Sequence, residues 1–116
     1  ILGISYKPNV KDIQLSPGGV IISELQKLGA KVRIFDPYFK DVLVYGIQTA
    51  SNLDEVISKV DATILVTAHN EFQDIQPEYF ATKMRSPILI DTRGMINTQL
   101  AKKAGLVFRG LGRGRI

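Results

Sequence analysis

The chain has 116 residues, 45% of them apolar, which suits one domain with a hydrophobic core. It contains no cysteine, so disulfides, thiolate metal sites and a cysteine nucleophile are excluded within it, and a lone His69 cannot form a histidine-rich metal site. No apolar run reaches the roughly 18 residues of a membrane span, and the net charge of +4 favours anionic ligands.

The first half of the chain alternates between strand and helix patterns. Residues 1–5 (ILGIS) predict a short buried strand. Ser16-Pro17 predicts the start of an amphipathic helix, which Gly29 ends. Residues 31–35 (KVRIF) predict a second strand, and Asp36-Pro37 predicts a turn after it.

The second half continues this alternation. Its predicted elements are a possible short strand around 44–48, a helix with a capping box at Ser51 and Asp54, a buried strand at 62–68, one or two short helices within 69–84, a strand at 87–91, a last helix capped by Asn97, and a final strand at 106–110. The whole pattern predicts an α/β, Rossmann-like fold with a doubly wound, mostly parallel sheet and helices on both faces.

Ligands of such sheets bind beyond the carboxyl ends of the strands, near the point where the strand order reverses. This rule selects four loops, at residues 5–16, 36–39, 67–71 and 91–96. We expect one domain over residues 1–108. Because the chain begins without methionine, inside an apparent strand, we also expect it to be a fragment of a larger protein.

A basic tail at residues 109–116 carries Arg109, Arg113 and Arg115 without an acidic residue. One interpretation is a solvated terminus. Another is a nucleic-acid-binding segment, although no aromatic residue is interleaved with the arginines.

The loop at 5–16 holds no glycine, and Tyr6 and Lys7 directly follow the first strand. Both should therefore project from its carboxyl end, where Pro8 keeps the chain extended and Asn9 favours a turn. A lysine there suits a phosphate or a carboxylate on a partner domain. The alternative is a solvated surface lysine.

Arg93 lies just past the strand at 87–91 and is followed by Gly94, which allows a sharp turn. Its planar guanidinium can bind a diphosphate or a sugar hydroxyl at two points. The alternative is that Arg93 pairs with Asp91 or a neighbouring acid and fastens the loop.

Two further residues admit both a structural and a functional interpretation. Asp36 stands where dinucleotide-binding folds place a ribose-binding acid, but Asp-Pro is also a turn signal, which we favour. His69 follows the buried strand at 62–68, and loop packing or a helix start is its default interpretation, with a role at a substrate pocket as the alternative. No catalytic constellation stands out in the chain.

Four stretches, in this order and spacing, resemble one family: GISYKPNVKDIQLSP, GAKVRIFDPYF, ILVTAHNEF and ILIDTRGMI. They are similar to the C-terminal domain of the nucleotide-sugar dehydrogenases, which include the UDP-glucose, UDP-N-acetylmannosamine and GDP-mannose dehydrogenases. The resemblance covers essentially the whole chain. It implies that the 5–16 loop is a substrate-side loop in a Rossmann-like domain.

The resemblance also implies roles for single residues. Tyr6 and Lys7 match the family's aromatic-lysine pair that contacts the UDP-sugar, and Arg93 matches an arginine that reaches the substrate. Where the family usually has Arg-Glu-Ser before the first helix, with an arginine that contacts NAD, this chain has Gln14-Leu15-Ser16. Contact of Gln14 with the cofactor is therefore not assigned.

The reaction implied by the resemblance is an NAD-dependent, four-electron oxidation of the sugar C6 alcohol to a carboxylate. NAD is expected to bind mainly to an N-terminal domain absent from this chain. The cysteine that forms the thioester intermediate is expected elsewhere in the full enzyme, upstream of this chain. The stretch at His69 to Phe72 and the Asp-Thr-Arg-Gly loop look more like enzymes acting on UDP-N-acetylmannosamine, with UDP-glucose as the alternative substrate.

The expected partners are a UDP-sugar and the absent N-terminal and central domains of the same enzyme. We expect a cytoplasmic homo-oligomer in the full-length protein, with no nucleic-acid or membrane partner. Two competing hypotheses remain, a self-sufficient NAD-binding domain, which the missing glycine-rich turn disfavours, and a basic interaction module that acts through residues 109–116.

Overall fold

The computed structural model describes residues 1–111. Its elements, in chain order, are α1 (Gly18–Lys27), β1 (Leu43–Val44), β2 (Ile47–Gln48), α2 (Leu53–Ile57), β3 (Thr63–Leu65), α3 (Asn70–Gln73), α4 (Pro77–Lys83), β4 (Ile88–Asp91), α5 (Thr98–Lys103) and β5 (Val107–Gly110). The predicted α/β architecture, a parallel sheet flanked by helices, is confirmed.

The parallel sheet has the order β3-β4-β5, and two extended segments continue it beyond β3. Leu2 forms parallel bridges to both Phe35 and Leu65, so residues 1–4 lie between residues 32–35 and β3. The spatial order is therefore residues 32–35, residues 1–4, β3, β4 and β5. The order reverses between residues 1–4 and β3, which makes the crevice above them the switch point of the sheet.

Residues 1–5 and 31–35 were expected to be full strands, but each contributes only a bridge. Gly3 has a φ of +90°, which an extended strand does not use. The backbone bonds survive around it: Gly3 donates its N–H to Phe35, and Val66 donates its N–H to Leu2, both at 2.9 Å. The two segments thus occupy strand positions with a kink at Gly3.

The kink at Gly3 distributes its neighbours between two hydrophobic clusters. Leu2 packs with core residues from β3 to β5, α2, α4 and α5. Ile4 packs instead with Ile22 of α1, Ile34 and Val44. Residues two apart on a regular strand would face the same side, so the positive φ of Gly3 accounts for their separation.

The short strand expected at 44–48 is a hairpin of β1 and β2, paired through Val44 and Ile47. Tyr45 and Gly46 between them have φ values of 52° and 76°. Positive φ at both central residues is the geometry of a type I′ turn. The turn divides the single strand predicted at residues 44–48 into two short antiparallel strands.

Two of the predicted helix ends are confirmed, whereas α1 begins one position later than predicted, at Gly18, with Pro17 rather than Ser16 as its N-cap. Asn97 caps α5 by accepting the N–H of Leu100 at 3.0 Å, and Gly29 follows α1 with a φ of +89°. The capping box at Ser51 and Asp54 is wrong by one position, because Asn52 accepts the N–H of Glu55 at 2.9 Å.

Arg109 lies within β5, whereas Arg113 and Arg115 of the basic tail lie outside the described residues. Among residues 1–111, no helix is long and apolar enough to cross a membrane.

Candidate functional site

The four loops selected from the sequence lie at one edge of the sheet. The loop at 5–16 follows residues 1–4, the loop at 36–39 follows Phe35, the loop at 67–71 follows β3, and the loop at 91–96 follows β4. Because these strands are parallel, their carboxyl ends meet at this edge.

Residues 6–8, which we name the arch, are all exposed, and 44% of the surface of Tyr6 is accessible. Ser5, which is fully buried, precedes the arch, and Asn9 follows it. The N–H of Tyr6 donates to the carbonyl of Asp12, which closes the loop behind the arch. Among residues 1–111, no carboxylate forms an ion pair with Lys7, so its ammonium is available to a ligand.

Arg93 is held by its Nε, which donates to the carbonyl of Val66 at 2.7 Å. Asp91 accepts the backbone N–H groups of Arg93 at 2.9 Å and of Ile96 at 2.7 Å. In the part of the chain that the structure describes, the Arg93 guanidinium forms no ion pair with a carboxylate. Asp91 therefore shapes the loop through backbone amides, while the outer nitrogens of Arg93 stay available.

The arch and Arg93 flank the end of β3 on opposite sides. Val66 accepts from Arg93, and the next residue, Thr67, donates its hydroxyl to the carbonyl of Ser5 at 2.9 Å. Two consecutive residues thus connect both predicted binding elements. Tyr6, Lys7 and Arg93 lie at the switch point, where the fold places ligands.

Asp36 is fully buried and cannot reach a ligand. Its Oδ2 accepts the N–H groups of Ile4 and Ser5, at 2.8 and 3.2 Å, and the Nε2–H of His69 at 2.9 Å. Its Oδ1 accepts the N–H of Tyr38 at 2.8 Å, which confirms the predicted turn. Burial by itself raises the pKa of Asp36, but the hydrogen bonds from His69 and from the Ile4 and Tyr38 amides outweigh it and hold the pKa below its ordinary value.

His69 is also fully buried, with its ring 5.0 Å from Tyr38 and 5.7 Å from Phe72 between centroids. Its Nδ1 accepts the N–H of Asn9 at 2.8 Å. The loop-packing interpretation is therefore confirmed, but its partners were not foreseen from the sequence. Asn9 and Asp36 are remote in the chain, so no short-range pattern indicates the contact.

Lys11 adds a third cation to this region, with its ammonium 5.7 Å from the centre of the Phe39 ring. This contact belongs to the class of cation–π interactions. Gln14 is exposed, and its backbone N–H donates to Asp12. Its side chain therefore stays unassigned.

A cavity of about 480 Å³ lies at the opposite edge of the sheet, where Ile1, Arg33, Ala62 and Arg85 are among its lining residues. This is the amino-terminal edge of the parallel strands. Ligands of open α/β sheets bind at the carboxyl edge, so we place the candidate site at the loops rather than in this cavity.

NAD does not fit the residues of this chain. The loop after residues 1–4 contains no glycine, so it lacks the close backbone approach that a dinucleotide pyrophosphate needs. Asp36 stands at the position of a ribose-binding acid, but it is buried and its oxygens bind Ile4, Ser5, Tyr38 and His69. The interpretation of Asp36 as a ribose ligand is therefore wrong.

The sheet order and the loops define a Rossmann-like α/β domain that carries a cationic loop in place of the glycine-rich turn. The family model described as the UDP-glucose/GDP-mannose dehydrogenase family, UDP binding domain, matches residues 1–98. The chain belongs to this family.

Relatives of both substrate types are similar to the chain. It is 36% identical to a UDP-N-acetyl-D-mannosamine dehydrogenase of Methanococcus maripaludis, over 98% of this chain and 26% of the relative. It is 29% identical to a UDP-glucose 6-dehydrogenase of Rhizobium meliloti, over 97% of this chain and 26% of the relative. The solved UDP-D-ManNAc dehydrogenase from Pyrococcus horikoshii superposes with a TM-score of 0.84 at 31% identity, covering 99% of this chain and 25% of that one.

The chain thus spans about a quarter of the length of the relatives that it matches.

Proposed function

We propose that this chain is the UDP-sugar-binding domain of an NAD-dependent nucleotide-sugar 6-dehydrogenase. The observation that carries this proposal is the pair of cations at the switch point. Lys7 stands on the arch and Arg93 stands across the end of β3, each without a carboxylate partner among residues 1–111. The match to the UDP-binding domain of the family supports it.

The two cations suit the diphosphate of a UDP-sugar. A diphosphate ester carries about two negative charges, and a guanidinium can bind phosphate oxygens at two points. The Nε of Arg93 is already bonded to Val66, so its outer nitrogens are pre-oriented for a ligand. Tyr6 is half exposed beside Lys7 and offers a ring face or a hydroxyl to the nucleoside.

The role of this domain in the reaction is to bind and position the substrate. NAD bound to the rest of the enzyme would supply the hydride acceptor, and two NAD molecules in turn would take the four electrons as the C6 alcohol becomes a carboxylate with an oxygen from water. This chain contains no cysteine for a covalent intermediate. Positioning is itself a large part of catalysis. The domain acts in a cytoplasmic homo-oligomer together with the N-terminal and central domains of its own enzyme.

UDP-N-acetylmannosamine is our preferred substrate, with UDP-glucose as the alternative. The preference rests on the His-Asn-Glu-Phe and Asp-Thr-Arg-Gly stretches at residues 69–72 and 91–94. Relatives named for each substrate resemble the chain at similar identity. Comparing the affinity of the full-length enzyme for the two sugars tests the preference directly.

The proposal predicts that Lys7→Ala and Arg93→Ala each weaken UDP binding by about tenfold, because each removes a charge-assisted hydrogen bond. Affinity is measured by calorimetry on the full-length dehydrogenase that contains this domain, and the fold is checked by the amide NMR spectrum of the 116-residue chain.

Matched control variants lie at the other edge of the sheet. Lys27→Ala removes a lysine at the end of α1, whose 3.3 Å contact with Glu24 is solvent-exposed. Arg85→Ala removes an arginine with a 3.5 Å exposed contact to Asp61. Both controls should bind UDP like the wild type. If Lys7→Ala and Arg93→Ala also leave the affinity unchanged, the assignment of the site is wrong.

The two competing hypotheses give different results in the same assay. Saturable NAD binding to the 116-residue chain supports a self-sufficient dinucleotide-binding domain. Salt-sensitive binding of generic duplex DNA, lost when residues 109–116 are removed, supports the basic interaction module. UDP binding in the absence of both NAD binding and DNA binding supports the proposed UDP-sugar-binding domain.

A further inference from the structure

A chain of hydrogen bonds lies beneath the arch and connects the buried Asp36 and His69 to Asn9 at the surface. We propose that His69 is a positioning residue of the nucleotide-sugar site, which holds the arch in its binding geometry through the backbone amide of Asn9. This inference rests on the proposed function of the arch.

The hydrogen bonds determine the proton positions on His69. The backbone N of Asn9 is a donor, so Nδ1 of His69, at 2.8 Å, must be the acceptor and carry no proton. The proton therefore resides on Nε2, which donates to Oδ2 of Asp36 at 2.9 Å. His69 is a neutral imidazole with both nitrogens used, and the carboxylate of Asp36 selects this tautomer.

The same buried pair holds the arch at both ends. At the start of the arch, Oδ2 of Asp36 accepts the N–H and the hydroxyl of Ser5, both at 3.2 Å. At its end, His69 accepts the N–H of Asn9. Residues 6–8 span the two attachment points and are themselves exposed. The positions of Tyr6 and Lys7 thus depend on an interaction that neither residue makes.

A second contact strengthens the attachment at Asn9. Its side-chain Oδ1 accepts the N–H of Asn70 at 2.9 Å, so Asn9 bonds to two consecutive residues of the loop at 67–71. Asn9 has a φ of 64°, a conformation that asparagine adopts more readily than most residues. The loop at 5–16 is therefore fixed to the loop after β3, across the switch point.

Two substitutions of His69 separate its two contacts. Glutamine can place its terminal amide near the position of Nε2 and donate to Asp36, but it leaves the Asn9 amide without an acceptor. Asparagine can place its carbonyl oxygen near the position of Nδ1 and accept from Asn9, but it does not reach Asp36. His69→Gln therefore releases the arch, whereas His69→Asn retains its attachment.

The experiment compares three readouts for both variants. Hydrogen exchange of the Asn9 amide in the 116-residue chain reports the attachment, urea unfolding reports global stability, and calorimetry on the full-length enzyme reports UDP affinity. In His69→Gln we expect exchange of the Asn9 amide to accelerate about tenfold and UDP affinity to fall about tenfold, because a tenfold change corresponds to the loss of one hydrogen bond. His69→Asn should restore most of both.

A control variant excludes a general effect of lost stability. Ile57→Val lowers stability in the core next to the opposite edge of the sheet, and it should leave UDP affinity unchanged. The proposal requires UDP affinity to follow the protection of Asn9 rather than the free energy of unfolding. It is overturned if His69→Gln accelerates Asn9 exchange but binds UDP like the wild type, or if affinity follows stability across all three variants.

The exchange readout also distinguishes failure of this proposal from failure of the proposed function. If the wild-type enzyme does not bind UDP at all, the proposed function fails and the positioning role fails with it. Asn9 exchange then still shows whether His69 holds the arch.

Discussion

Replacement of Asp36 by asparagine tests whether its buried carboxylate fixes the loop at 5–16 to the loop at 67–71, through Ser5 and His69. The side chain keeps its size and loses only its charge and one acceptor oxygen. The carboxylate has five donors: the N–H groups of Ile4, Ser5 and Tyr38, the Ser5 hydroxyl, and Nε2 of His69, at distances of 2.8 to 3.2 Å.

The size of the effect follows from these donors. An asparagine has one carbonyl oxygen, which can serve the four donors on the Oδ2 side. Its amide group then faces the N–H of Tyr38 and leaves a buried donor unsatisfied, which costs about 1–3 kcal/mol. The other bonds lose their charge assistance, which adds about 2 kcal/mol. We expect Asp36→Asn to lower the free energy of unfolding by about 3–5 kcal/mol at pH 7.

The effect should depend on pH in a defined direction. The pKa of Asp36 is lower in the folded chain than the ordinary value of an aspartate. Its stabilising contribution is therefore present above that ordinary value and is lost as the pH falls towards the folded-state pKa. The difference in stability between wild type and Asp36→Asn should therefore be constant from pH 7 to about pH 5 and shrink below about pH 4.

Urea unfolding at several pH values measures this difference. Asp41→Asn is the control, because Asp41 is exposed and, within residues 1–111, its carboxylate accepts only from the side chain of Gln48, at 3.1 Å. It should change stability by less than about 0.5 kcal/mol. A loss of under about 1 kcal/mol in Asp36→Asn, or a loss that stays the same down to pH 3, would refute the reasoning.

Two further predictions concern the fold. Gly3→Ala should lower the free energy of unfolding by about 2–4 kcal/mol, because Gly3 has a φ of +90° and an added Cβ would lie 2.5–2.9 Å from atoms of Thr67. Gly29→Ala is the control and should cost only about 1 kcal/mol, since Gly29 has a φ of +89° but no neighbour within 4 Å of an added Cβ. Equal losses in urea unfolding would contradict the predicted clash with Thr67. Asn97→Ala should lower the free energy of unfolding by about 1 kcal/mol, because it removes the N-cap of α5. Gln99→Ala, at an exposed position of the same helix, is the near-neutral control. An unchanged free energy of unfolding in Asn97→Ala would exclude a stabilising cap.

The sequence predicted those parts of the fold that local patterns encode. Apolar periodicity is a property of neighbouring residues, so the alternation of extended segments and helices was correct, although residues 1–5 and 31–35 contribute only bridges and residues 44–48 form a hairpin. Asn97 was identified as a cap because it is the polar residue next to a helical pattern. The other cap was misplaced because Ser51 and Asn52 both satisfy the rule, and only the structure shows that Asn52 receives the N–H of Glu55.

The candidate site was less accessible to sequence reasoning. The strand-end rule placed Tyr6, Lys7 and Arg93 at the same edge, but it could not show that Arg93 contacts Val66, since that depends on which strands are neighbours. The contact of His69 with Asn9 and Asp36 joins three distant parts of the chain. No periodicity or motif indicates such a contact, so the supporting residues were not predicted.

The central place of residues 1–4 in the sheet has a consequence for folding. Residues 32–35 and β3 are connected only through this segment in the described bridges, and Leu2 and Ile4 belong to different hydrophobic clusters. Helices and the β1-β2 hairpin can form from local contacts, but the sheet closes only when the first residues of the chain insert between partners far along the sequence. Such non-local closure slows folding, so the last event expected in folding is also the one that brings Tyr6 and Lys7 to the site.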